Sequence, residues 1–359
     1  MNQPILIIGG GLSGLRLASL LAEENIPFKI LEARDRLGGR IFTHQNTANN
    51  YFDLGPTWYW PATEPTIVNL VNKLSLPVTP QYNEGSSLLE LSENTPPKKI
   101  NASEVNNESM RIIGGVNALV NAVKQNVPED AIHLNTQVTS VTHEDNHNVL
   151  IHAHHTKTGE EMAFQAEQIV LTLPPRLLLE HVNFTPPLPE NIHMDLLNKP
   201  TWMGAQAKMV VTYETPFWRR DGLSGNAVSW VGPLREIYDA STEAGDSALF
   251  GFFSLAPLVR AAYSKDEIQN FVIEQLSRLF GQQAENYKNI IYNDWSTDPH
   301  MTTEGDKLNI ESFPAYGQPP VYYKNIKFAG TEYDDKNGGH LEGALRSAEH
   351  VFDEIKNSL

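Results

Sequence analysis

Apolar positions in this chain fall into short runs with sharp ends, and their spacing predicts the elements. Ile5-Leu6-Ile7-Ile8 is an unbroken run of strand length, followed at once by Gly9-Gly10-Gly11-Leu12-Ser13-Gly14. A helical pattern comes next, then Phe28-Lys29-Ile30-Leu31, a second apolar run that ends on Glu32. This is strand, glycine turn, helix and strand within the roughly 30 residues of a βαβ unit. A helix is expected over residues 66 to 73, and Gly114-Gly115 opens another in which Val116, Leu119, Val120 and Val123 share a face. Three β-like runs at 137 to 143, 149 to 154 and 162 to 165 predict a small meander, the last two joined by the turn Lys157-Thr158-Gly159. Residues 168 to 173 form a further strand, stopped by Pro174-Pro175.

The pattern then changes. Residues 205 to 213 read as a strand holding one cation, Lys208, among Ala205, Ala207, Met209, Val210 and Val211, followed by Pro216-Phe217-Trp218-Arg219-Arg220. Strands near 227 to 231 and 248 to 253 precede a helix marked by Ile268, Phe271, Val272, Leu276 and Leu279. A strand at 326 to 332 ends in glycine, and a last helix runs from about His340 to Lys356. The stretch from 83 to 110, rich in Asn, Ser, Glu and Pro, reads as a linker or surface excursion. The expected class is α/β: a Rossmann-like domain with an inserted mixed α/β domain.

Composition narrows the chemistry. At 359 residues and 40% hydrophobic, the chain can bury a core for two domains. A formal charge of −16 argues against nucleic acid and against anionic membranes as partners. There is no cysteine, which excludes disulfides, thiolate metal sites, catalytic thiols and a flavin attached through a thioether. The first strand begins at Ile5 and no apolar stretch reaches the length of a membrane span, so a soluble, cytoplasmic protein is expected. The sequons at Asn101, Asn107 and Asn183 then read as chance matches. His143, His147, His152, His154 and His155 invite a metal reading, but an exposed strand is the better account and no metal is expected.

The glycine turn carries the first chemistry. Gly9 allows a tight turn, Gly11 lets backbone approach a pyrophosphate, and Gly14 lets the helix pack on the strand. The helix N-terminus, with Leu12 and Ser13, offers free N–H groups to phosphate. Glu32 would accept hydrogen bonds from ribose hydroxyls, and an acid there disfavours a 2′-phosphate. Directly after it, Ala33-Arg34-Asp35-Arg36-Leu37-Gly38-Gly39-Arg40 adds a second glycine pair and three guanidinium groups suited to phosphate oxygens. A plain NAD site needs no such second cradle, so the cofactor reads as FAD.

With these motifs in hand, the chain resembles the flavin-containing amine oxidases, the group of monoamine, polyamine and L-amino-acid oxidases. The resemblance rests on the N-terminal motif with its Gly-Gly-Arg cradle, on Asp53-Leu54-Gly55-Pro56-Thr57-Trp58, and on the Lys208 strand with Pro216-Phe217-Trp218. Its fourth part is Phe328-Ala329-Gly330-Thr331-Glu332 with Gly338-Gly339-His340-Leu341-Glu342-Gly343-Ala344. It implies a discontinuous FAD domain over 1–76, 111–198 and 300–359, and a substrate domain over 77–110 and 199–299. By the same resemblance, Gly55 to Trp58, Gly330, Thr331 and Glu332 join the cofactor site, Arg34 and Arg40 meet the phosphates, and Val138 touches the adenine side. Leu341 would aim its N–H at the flavin's N1–C2 edge, and Lys208 would hold a water against flavin N5. Trp295 corresponds to a tryptophan near the flavin; a plain core role is equally open. The implied reaction is hydride transfer from an amine or amino acid to noncovalent FAD, with O2 as acceptor and imine and H2O2 as products.

Two departures qualify the resemblance. Many members flank the flavin with two aromatic side chains, but Glu304, Gly305 and Asp306 occupy one of those places and His340 the other. His340 can stack, cap a helix or move a proton near neutral pH. The chain is also short, lacking a helical stretch that roofs the cavity in the family. A wider mouth, an oligomeric partner or a bulky substrate would each follow. Alternative readings are a desaturase related to protoporphyrinogen oxidase or carotenoid desaturases, and a flavin-binding partner subunit with little catalysis.

Overall fold

The computed structural model describes residues 3–101, 108–144, 148–242, 245–308, 313–323 and 325–358. Asn107 and His147 lie outside these. A five-stranded parallel sheet sits at the centre of the first layer, in the order Ile326–Phe328, Ile169–Leu171, Ile5–Ile8, Phe28–Leu31, Ile132–His133. A continuous apolar run suits a central parallel strand, because both faces are covered. In Ile5–Ile8, Ile5 and Ile7 face a cluster built from four helices, while Leu6 and Ile8 face a second cluster. The helices are Leu12–Glu23, Pro65–Lys73, Asn117–Lys124 and Leu341–Ser358. The second cluster belongs to the expected meander, Thr136–His143, Val149–His155 and Glu161–Ala166, joined by Asn183–Thr185.

The second layer is a seven-stranded sheet in the order Asn289–Asp294, Ala207–Tyr213, Ser247–Phe253, Leu234–Asp239, Leu223–Ser229, Ser86–Glu90, Lys98–Asn101. The last two strands correct, over their own residues, the reading of 83 to 110 as a linker or surface excursion. They pair as a sheet edge, where Lys98 and Lys99 are exposed, and polar side chains there hide a strand from hydrophobic periodicity. Glu90 is buried because Arg278 and the Ser229 hydroxyl both bond to it. One face of this sheet packs on helix Lys265–Phe280. That helix starts on a capping box, with the Ser264 hydroxyl on Glu267 N–H and the Glu267 carboxylate on Ser264 N–H, and stops at Gly281.

The strand expected over 168 to 173 is Ile169–Leu171, and Pro175 opens helix Pro175–His181 at a position where its missing N–H costs nothing. That helix, helix Glu190–Leu197 and strands Leu234–Asp239 and Asn289–Asp294 left no clear period in the sequence. The fold is α/β, a dinucleotide-type parallel sheet beside a mixed substrate-type sheet. Among the described residues no helix is long and apolar enough to cross a membrane. No group of three or more His, Asp or Glu side chains gathers there to hold a metal; His152 is exposed and His143 stacks on Tyr323 at 3.7 Å.

Candidate active site

A cavity of about 600 Å³ runs from the glycine turn of the parallel sheet to the face of the seven-stranded sheet. At the first end, Gly9 has φ +110°, and a Cβ on Gly14 would lie 2.1 Å from the Gly9 carbonyl oxygen. Only glycine permits the turn and the close helix-to-strand approach together. Gly11 precedes helix Leu12–Glu23, which no side chain caps, and the first helical bond runs from Leu15 N–H to the Gly11 carbonyl. The earlier N–H groups are therefore free to meet a ligand. The Ser13 hydroxyl is buried without a partner in the same wall. A donor buried and unpaired is costly unless something fills the site, so this end fits a phosphate.

Glu32 is 6% exposed and accepts from Gly10 N–H at 2.6 Å and Arg34 N–H at 2.8 Å. Burial raises its pKa, opposed by those two hydrogen bonds and by the Arg34 charge. Each oxygen keeps a lone pair for a ribose hydroxyl. The arginines are already braced. Arg34 forks onto Asp298 at 2.7 and 2.9 Å, Arg36 donates to the Gly39 and Ile41 carbonyls, and Arg40 holds Glu332 at 2.6 Å. Of the predicted site residues, all but Gly14 and Glu332 line the cavity. Gly14 packs beneath Gly9, and Glu332, 1% exposed, anchors Arg40 rather than facing the cavity.

At the far end the strand parity places Lys208. Met209, Val211 and Tyr213 point to the helix side of their sheet, so Lys208 and Val210 point the other way, toward the cavity and Phe250. Lys208 is 2% exposed. Its ammonium group donates to the Gly55 carbonyl and the Thr57 hydroxyl, and lies 4.1 Å from the Phe250 ring centre. Burial pushes its pKa down to about 7, against the opposing pull of Asp53, with the Arg111 charge adding to the depression. Trp58 packs edge-on to Tyr238 at 4.7 Å, and its indole N–H bonds Gln81. Trp295 lines the cavity while its N–H bonds the Leu54 carbonyl at 2.8 Å, so it serves wall and core together.

The expected aromatic positions need correcting. Glu304, Gly305 and Asp306 lie in a short 3-10 turn outside the cavity wall, where Asp306 is buried against Arg176 and the Thr201 N–H. Aromatic rings reach the cavity from elsewhere. Trp60 lies 5.4 Å from the His340 ring at 31°, Phe313 lies 5.5 Å away edge-on, and Trp202 packs on Phe313 at 4.5 Å. Trp60 follows Trp58 by two residues and could have been suspected; Trp202 and Phe313 carry no periodic signal. Sequence reading also missed Glu64, whose carboxylate meets His340 Nδ1 at 2.7 Å. Pro216-Phe217-Trp218, one of the motifs noted above, is core: Trp218 is fully buried and bonds Asp239 at 2.8 Å.

Known proteins share this fold. The family description "flavin containing amine oxidoreductase" matches residues 12–100 and 89–355. The probable flavin-containing monoamine oxidase A of Dictyostelium discoideum is 23% identical over 459 aligned residues, covering 99% of this chain and 98% of that protein. The alignment exceeds the 359 residues here, so that relative carries insertions absent from this chain. A wild-type putrescine oxidase structure bound to putrescine is similar with TM-score 0.80 at 19% identity, covering 99% of both chains. Cyclohexylamine oxidase from Brevibacterium oxydans is similar with TM-score 0.81 at 17% identity, covering 99% of this chain and 100% of that one. At such identities the structural likeness establishes the fold.

Proposed function

The chain belongs to the flavin-containing amine oxidoreductase family, and from that premise we propose that it oxidises a small amine using FAD held without a covalent link. The observation that carries the reading is Lys208, a buried amine depressed to about 7 by burial, on the cavity wall beside Gly55 and Thr57. When bound, the flavin supplies a two-electron acceptor for the carbon bearing nitrogen and passes the electrons to O2.

The chain's residues divide the remaining work. Leu12, Ser13 and Gly14 offer N–H groups to the pyrophosphate, and Glu32 takes the ribose hydroxyls. Leu341, first residue of the last helix, presents a helix N-terminus to the flavin, favouring negative charge there. Near neutrality the Lys208 amine uses two hydrogens on Gly55 and Thr57, which leaves its lone pair or third hydrogen for a water. Trp58, Trp60, Tyr238 and Phe252 make a wall that excludes bulk water and stacks on an apolar amine side chain.

The two solved relatives make putrescine and cyclohexylamine the first probes, with benzylamine and a set of L-amino acids beside them. Flavin absorbance should bleach on anaerobic mixing with at least one, and peroxide should appear on admitting air. If none bleaches the flavin, the oxidase reading falls and the desaturase alternative gains. Denaturation should release the flavin into the supernatant; flavin remaining on the chain would overturn noncovalent binding.

A further inference from the structure

Glu64 stands just before helix Pro65–Lys73, where a short polar side chain normally accepts the helix's own N–H groups. It does not do so here. The Glu342 carboxylate, from the last helix, takes Thr66 N–H at 3.0 Å and Ile67 N–H at 2.8 Å. Glu64 is thereby free to turn to the cavity side: Oε2 accepts from Trp60 N–H at 2.7 Å, and Oε1 meets His340 Nδ1 at 2.7 Å. Its side chain is 2% exposed and, among the described residues, its ion-pair partner is this histidine.

A carboxylate oxygen only accepts, so the shared proton sits on Nδ1. The imidazole packs against the Trp60 ring, tilted by 31°, and meets Phe313 edge-on, and its side chain remains 34% exposed on the cavity wall. The other ring nitrogen, Nε2, has no protein partner among the described residues and is not among the buried unpartnered atoms. We propose that Glu64 is a positioning residue that fixes the Nδ1–H tautomer of His340, making Nε2 the proton acceptor for the bound substrate ammonium. This rests on the amine-oxidase reading. In the step, an N–H bond of the ammonium breaks, Nε2–H forms, and the nitrogen regains the lone pair that C–H cleavage requires. The resulting imidazolium is stabilised by the Glu64 carboxylate. The other ionisable groups on the cavity wall include Arg40, Lys208, Arg235 and Glu236, and Glu342 lies on the histidine's own helix.

The test has two arms on the flavin-loaded protein. In ¹⁵N-histidine-labelled protein without any amine, His340, identified by its loss in His340→Phe, should show a protonated Nδ1 and an unprotonated Nε2 once the ring is neutral. Glu64→Gln leaves one acceptor oxygen for the two donors Trp60 N–H and Nδ1–H, so that preference should weaken. The opposite tautomer in the wild type, or no change in Glu64→Gln, overturns the proposal whatever the protein oxidises. The second arm measures anaerobic flavin reduction by whichever of putrescine, cyclohexylamine and benzylamine bleaches the wild type. Glu64→Gln and His340→Phe should each slow the limiting reduction rate roughly ten- to a hundredfold with little change in amine affinity. The double variant should be no slower than His340→Phe alone. Additive losses, or a loss confined to affinity, would reduce Glu64 to a packing role. If no amine bleaches the flavin, the oxidase reading fails while the first arm still decides the pair.

Discussion

At position 208 a cation is enclosed by two phenylalanine rings, a carbonyl and a hydroxyl, with Asp53 as the charge that offsets burial. Its folded pKa of about 7 lies below the roughly 10.4 of an unfolded lysine. Folding must therefore expel a proton between those values, and the cost grows as pH falls toward the folded pKa and then levels off. Lys208→Met removes that titration. Its melting temperature should gain on the wild type's as pH falls from about 9 to 7, then hold a constant lead below. A difference that does not vary with pH would show that the amine is not depressed. Flavin reactivity should fall in the same variant, by stopped-flow comparison with the wild type. The position of this lysine within an apolar strand was visible in the sequence. Which face of the strand met the cavity was not, because both faces are buried.

Two elements depend on contacts that local sequence does not announce. Helix Pro65–Lys73 has no side-chain cap of its own and is capped by Glu342, a residue that is fully buried. Glu342→Ala should lower stability by about 1–2 kcal/mol, read as a lower urea midpoint at unchanged slope. Helix Leu12–Glu23 depends instead on Gly14. Gly14→Ala puts a methyl group 2.1 Å from the Gly9 oxygen, and overpacking of this kind costs about 1–3 kcal/mol. The variant should purify with less bound flavin per chain, measured by absorbance ratio; full occupancy would show that the turn can relax. The glycine motif was legible because only glycine satisfies such a turn. Strands Ser86–Glu90 and Lys98–Asn101 were not, since Lys98–Asn101 is an edge strand with one neighbour and exposed lysines, and Glu90 is buried by its ion pair with Arg278 rather than by periodicity.

Across the molecule, distant segments are tied by ion pairs and hydrogen bonds. Arg34 reaches Asp298, and Trp295 reaches the Leu54 carbonyl. Arg260, 2% exposed, grips Asp294 through two nitrogens and also the Ala205 and Leu255 carbonyls. Burial raises the pKa of Asp294, but the bonds from Arg260 and Ser296 outweigh it and hold the carboxyl below its usual range. Removing the guanidinium leaves a partly buried charge unpaired, so Arg260→Ala should cost about 3–5 kcal/mol and lower the melting temperature. A loss well under that would mean water reaches Asp294 in its place.

The sequence by itself determined the glycine turn, the acid that ends the second strand, the absence of thiol chemistry and the strand that carries Lys208. Each is written in neighbouring residues, through steric limits on glycine and the two-residue period of a strand. Tertiary structure decided what the far end of the cavity is made of. Trp60, Trp202, Phe313 and His340 meet from four separate segments, and Glu64 and His340 are 276 positions apart. Such pairings depend on how the helices and sheets pack, and no local pattern records them.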